Sequence, residues 1–179
     1  MITLYDPFEG MRFGPGRCFL TGEPVGPDAT VPVFADWLQA TYGLAGRPIQ
    51  LLDQSQTTFG ALRLPLAPAL RPRLAALEAE VQAAALAGPA ALRALPPARL
   101  WQWLGKMFYG IFVTELWQQQ EPLIKPEYPL AENAQAGAAL PGVFSAAARA
   151  CACPPEYADF VPGTVFVLET DAAYEAPCL

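Results

Sequence analysis

Between positions 97 and 119, polar side chains recur at Arg99, Gln102, Lys106, Thr114 and Gln118, with Gly110 in the same register, while nearly every other position is bulky and apolar. Steps of three and four place these residues on one narrow stripe of an α-helix. A helix wet on so thin a strip is enclosed on its other sides. The segment is therefore expected to be the central helix of the core, with Trp101, Trp103, Leu104, Met107, Phe108, Ile111, Phe112 and Leu116 packed against neighbours. A second helix is predicted over 72–86. Leu70, Leu74, Leu77, Val81 and Ala84 mark its apolar face, Arg71, Arg73, Glu78, Glu80 and Gln82 lie mostly off that face, and Gly88-Pro89 ends it. Phe34, Trp37, Leu38 and Tyr42 give a short amphipathic helix closed by Gly43, and a helical piece over 90–95 leads into Pro96-Pro97.

Strand signals are shorter. Arg17-Cys18-Phe19-Leu20 reads as a strand entering a tight turn at Thr21-Gly22, with Thr30-Val31-Pro32-Val33 as its return. Ile49-Gln50-Leu51-Leu52 and the run from Thr57 to Leu64 read as two strands about the polar turn Asp53-Gln54-Ser55-Gln56. Beyond a proline-marked loop, alanine-rich helices are expected near 131–140 and 143–150, and Thr164-Val165-Phe166-Val167-Leu168 is a β-rich run. The class is α+β: short N-terminal β-hairpins with a bundle of helices around one long buried central helix. We find no repeat and no boundary, so 1–179 is read as a single domain with a strand- and loop-rich part (1–66), a helical part (67–160) and a C-terminal strand (163–169).

Composition narrows the function classes. Hydrophobic residues make up 53% of the chain and charged residues 16%, against roughly 25% charged in a typical soluble domain. That imbalance predicts a large core together with apolar surface covered by a protein partner or a second copy. The net charge of -6 and the scattered basic residues work against nucleic-acid binding, whose affinity comes mainly from Lys and Arg displacing counterions. The N-terminus lacks a basic region followed by an apolar stretch, and 100–117 carries Gln102, Lys106, Thr114 and Glu115; cytoplasmic placement without a membrane span is the expectation.

The chain has no histidine. This removes Ser-His-Asp and Cys-His nucleophilic systems, imidazole bases and His-ligated metals together. Neither a phosphate loop nor a G-x-S-x-G turn occurs. Asp36, Asp53, Glu115 and Asp159 are acids by type alone, with no spacing that pairs them, and surface solvation is their ordinary role. Cys18, Cys151, Cys153 and Cys178 contain no C-x2-C pair, which favours free thiols over a four-thiolate zinc site. No catalytic residue, metal or cofactor is therefore assigned. For a ligand pocket, the candidate positions are Trp37, Lys106 and Glu115, beside the polar stripe.

Read together, four stretches resemble small HNH-endonuclease-like proteins. Cys18-Phe19-Leu20-Thr21-Gly22 is similar to that family's first zinc knuckle, C-x-x-C-G, with Thr21 at the second cysteine, and Val33-Phe34-Ala35-Asp36-Trp37-Leu38 is similar to the segment that follows. The family's metal-side histidine would fall at Pro32. Leu64-Pro65-Leu66-Ala67-Pro68-Ala69-Leu70-Arg71 looks like the second knuckle, with Ala67 and Leu70 at the cysteine positions, and 103–111 looks like a downstream aromatic helix. The resemblance implies a ββα-type scaffold from which three of four zinc ligands and the general base have gone; a single thiolate does not hold zinc. The expected function is accordingly a non-enzymatic binding or assembly module on a degenerate HNH-like scaffold. The alternative is an enzyme or small-ligand-binding domain with a pocket beside the Lys106 helix.

Overall fold

The computed structural model describes residues 16–51, 54–118 and 167, with side chains in the last helix described through 114. The elements run β1 (Thr30–Pro32), α1 (Asp36–Tyr42), β2 (Pro48–Gln50), β3 (Gln56–Thr58), β4 (Arg63–Pro65), α2 (Arg71–Ala87), α3 (Pro89–Ala94) and α4 (Pro97–Gln118). The class is α+β, and α4 packs on α2 and β4. The alanine-rich stretches 131–140 and 143–150 and, apart from Val167, the strand expected at 164–168 lie outside the described residues.

The helix boundaries follow local chemistry. Gly43 (φ 62°) closes α1 in the left-handed conformation, and Gly88 (φ 105°) separates α2 from α3. The buried residues of α2 are Leu74, Leu77, Val81 and Ala84, the apolar face that the spacing marks. No side chain caps the N-terminus of α1; instead the buried Gln39 donates its Nε2 to the Phe34 carbonyl at 2.7 Å, tying the first turn to the chain that enters it.

The strands form two antiparallel ribbons, β1–β4 and β2–β3. The strand expected at 17–20 is a turn, closed on itself by one bridge between Arg17 and Pro24 and joined to the end of β4 by Phe19 N–H donating to Pro65 O at 2.9 Å. Cys18, Phe19 and Leu20 are all buried. Three consecutive buried side chains do not fit a strand with one face to solvent, which alternates buried and exposed positions. The backbone instead curls, with Gly22 N–H donating to Cys18 O at 2.8 Å, Cys18 N–H to Glu23 O at 2.7 Å and Gly22 at φ 73°. Thr30–Pro32 does not return alongside 17–20; it pairs with β4 in the register Val31↔Leu64. The run 57–64 is likewise two strands of different ribbons, divided by a 3-10 turn over Phe59–Ala61. There Gly60 donates to Ala45 O at 3.0 Å, and a Cβ on Gly60 would lie 2.8 Å from that oxygen.

The polar stripe of α4 faces inward, where the expectation placed it in water. Gln102, Lys106, Gly110 and Thr114 are buried; of the apolar residues expected in the core, Met107 is buried, Phe108 is 49% exposed and Trp101, Trp103, Leu104, Ile111 and Phe112 are half-buried. Burying polar groups is tolerable when each finds a partner inside the fold. Thr114 Oγ1 donates to Gly110 O at 2.8 Å, and Gln102 Oε1 accepts from Arg99 Nη1 at 2.9 Å. Gly110 lets the ribbon approach: a Cβ there would meet Leu64 Cδ1 at 2.9 Å and Val33 Cγ1 at 3.1 Å. Cys18, Phe19, Leu20, Val33, the leucines around β4, Leu74, Tyr109 and Val113 make the main core, and Leu77 with Val81 makes a smaller one flanked by Trp37 and Trp103.

Candidate functional site

Glu78 lies on the edge of the α2 core face, four residues after Leu74 and three before Val81. Its Oε2 accepts the indole N–H of Trp37 at 3.2 Å and that of Trp103 at 2.9 Å; its Oε1 accepts Lys106 Nζ at 3.1 Å. The two indoles are stacked at 6.1 Å with an interplanar angle of 20°. Lys106, 2% exposed, also donates to the carbonyls of Pro32 at 2.9 Å and Val33 at 2.7 Å. An ammonium has three N–H groups, and all three are engaged. This cluster joins α1, α2, α4 and the end of β1 through a single ion pair.

The outer edge of β1 is closed by the same kind of contact. Leu66 N–H reaches Ala29 O and Val33 N–H reaches Leu62 O, so the odd-numbered positions face β4 and the carbonyls of Thr30 and Pro32 point off the opposite edge. Arg71 Nη2 donates to Thr30 O at 3.0 Å, and Lys106 takes Pro32 O. Thr30 N–H is used by Asp28 O, and proline has no N–H to offer. Pairing with an incoming strand, the usual hazard of an exposed edge, has no free backbone group at Thr30 or Pro32 to begin from.

A cleft of about 420 Å³ opens between this edge, the start of α1 and the first turns of α2. Pro32, Trp37 and Leu74 supply apolar wall, Lys106 and Glu78 lie at its base, and Arg63, Arg71 and Asp36 bring charge to it. Arg63 Nε donates to Thr30 Oγ1 at 3.1 Å, so both arginines are anchored on Thr30. Among the described residues Thr30 is the acceptor for each guanidinium, and neither forms an ion pair.

Of the candidate ligand positions, Trp37 and Lys106 line this cleft; the side chain of Glu115 lies outside the described residues, as do Asp53 and Asp159. The acid that meets Lys106 and Trp37 is Glu78, expected off the apolar face of α2; its spacing from Leu74 and Val81 is the signal in the sequence that places it at the edge of that face. Arg63 and Arg71 carried no signal, because what joins them is a shared acceptor remote from both in the chain. The positions matching the family's knuckles fall as follows. Cys18 and Ala67 are buried in the main core with Leu70 packed against it, Thr21 is in the N-terminal turn, and Pro32 is on the cleft. Among the described residues no three His, Cys, Asp or Glu side chains gather as metal ligands, and no helix is long and apolar enough to cross a membrane. No protein-family model matches the chain, and no curated protein or solved structure matches it.

Proposed function

We propose that this protein is a non-enzymatic binding module whose contact site is the cleft between β1, α1 and α2, and that its occupant is a segment of a partner protein. The observation that carries this reading is the division of labour within the cleft. At the base, Lys106 and Glu78 spend their hydrogen-bonding positions on each other, on two indoles and on two backbone carbonyls, leaving no poised base or nucleophile. At the rim, charged and apolar groups remain open to an occupant. The HNH-like resemblance supports the same reading: it puts the family's metal-side histidine at Pro32, and here that position offers a wall and a carbonyl already taken by Lys106.

A photo-crosslinking residue at Ala75, which is exposed on the cleft wall, tests the proposal. The expected result is one cross-linked species whose complex re-forms from purified components and is lost in Ala75→Trp. Equal cross-linking from Ala76, exposed on α2 but off the cleft, would remove the cleft as the contact site. A small-molecule occupant is the second reading, favoured by a volume within the usual range of ligand pockets, roughly 300–1,000 Å³.

A further inference from the structure

We infer that the cleft recognises a carboxylate carried next to an apolar body, the chemistry an acidic residue beside a large apolar one presents on a partner chain. This rests on the cleft being the contact site. Arg63 and Arg71 come from different elements, β4 and the start of α2, yet both are drawn to the one residue Thr30. Two like charges brought together repel, and no acidic side chain of the described residues pairs with either. Asp36 shares the cleft but forms no ion pair with them.

The anchors also leave recognition edges usable. Arg63 is held through Nε, which leaves its Nη1–Nη2 edge for end-on contact with a carboxylate; Arg71 is held through one of the two N–H groups of Nη2, which leaves it the other and so one of its two forked edges. The base adds no net charge, since Lys106 neutralises Glu78 at 3.1 Å. The local balance at the cleft is therefore cationic by one, from Arg63 and Arg71 against Asp36, on a chain whose net charge is -6. Beside these groups Trp37 and Leu74 offer the apolar wall for the neighbouring side chain.

The test uses the full chain and small probes followed by amide chemical shifts: N-acetylphenylalanine, its neutral amide, and phenyl phosphate. The expected result is saturable shifts at Thr30, Trp37 and Ala75 with N-acetylphenylalanine, at least about tenfold weaker binding of the amide, and a loss of about tenfold in Arg63→Gln. Arg63→Gln is preferred to an Arg71 variant because Arg63 bonds only a side-chain oxygen, so the ribbon edge stays capped; the spectrum away from the cleft reports whether the fold is kept. Equal binding of acid and amide, unaffected by Arg63→Gln, would overturn the charge assignment while leaving the cleft as an apolar contact site. Phenyl phosphate binding more than about tenfold tighter than the carboxylate, with the same dependence on Arg63, would reassign the site to phosphoryl groups. No shift at the cleft with any probe would overturn the inference, and the cross-linking experiment at Ala75 would then judge the contact site alone.

Discussion

Lys106 and Glu78, 28 positions apart in the chain, meet at 3.1 Å in the interior, and the ammonium takes two backbone carbonyls of the β1–α1 junction in the same grip. Removing one member of such a pair strands the other in a poorly solvated site. Lys106→Met should therefore destabilise the protein by about 3–5 kcal/mol, measured by chemical denaturation. Lys106→Arg should not restore it, because a planar guanidinium cannot aim three donors at acceptors lying in different directions.

Glu78 also holds the stacked indoles of Trp37 and Trp103. Replacing either tryptophan by phenylalanine keeps most of the ring area and deletes one N–H donor to a carboxylate. Each change should cost about 1.5–3 kcal/mol, and the double variant should cost more than the sum, since only the loss of both donors leaves Oε2 without an indole partner. A strictly additive double-mutant cycle would contradict the shared-acceptor geometry.

Gly110 is the point where α4 meets the β1–β4 ribbon. Alanine is the better helix former by about 1 kcal/mol, but its Cβ would lie 2.9 Å from Leu64 and 3.1 Å from Val33, both fully buried. Valine is stiff at χ1 and yields little. Overpacking of about 1–3 kcal/mol should win, so Gly110→Ala should lower the melting temperature. Combining it with Leu64→Ala should recover part of the loss that the two single changes would otherwise sum to.

Cys18 lies in the main core among apolar side chains, at the position where the resemblance would place a zinc ligand. A structural zinc site contributes folding free energy directly. Dialysis against a strong chelator should therefore leave the melting temperature unchanged, and Cys18→Ala should cost only what a small buried side chain is worth. A melting temperature that falls on chelation and returns with zinc would refute this.

Much of the fold is legible from local pattern. The α2 core face of Leu74, Leu77, Val81 and Ala84, the helix stop at Gly43 and the tight turn at Gly22 each depend on residues within a few positions of one another, where periodicity and the allowed backbone angles act directly. Trp37 and Lys106 were likewise recognisable as polar-tipped groups near one helix stripe. Their meeting point at Glu78 was visible only as an acid out of place between Leu74 and Val81.

What the amino-acid order determined by itself is which residues share a helix face and where the helices begin and end, because those relations are set within one or two turns of backbone. The tertiary structure decided which face of α4 is inside, which strands pair, and that Arg63 and Arg71 converge on Thr30. A helical stripe of Gln102, Lys106, Gly110 and Thr114 reads the same whether water or protein covers it. Only the arrival of β1, β4 and Glu78, with acceptors for the ammonium and room above Gly110, makes burying that stripe the cheaper arrangement.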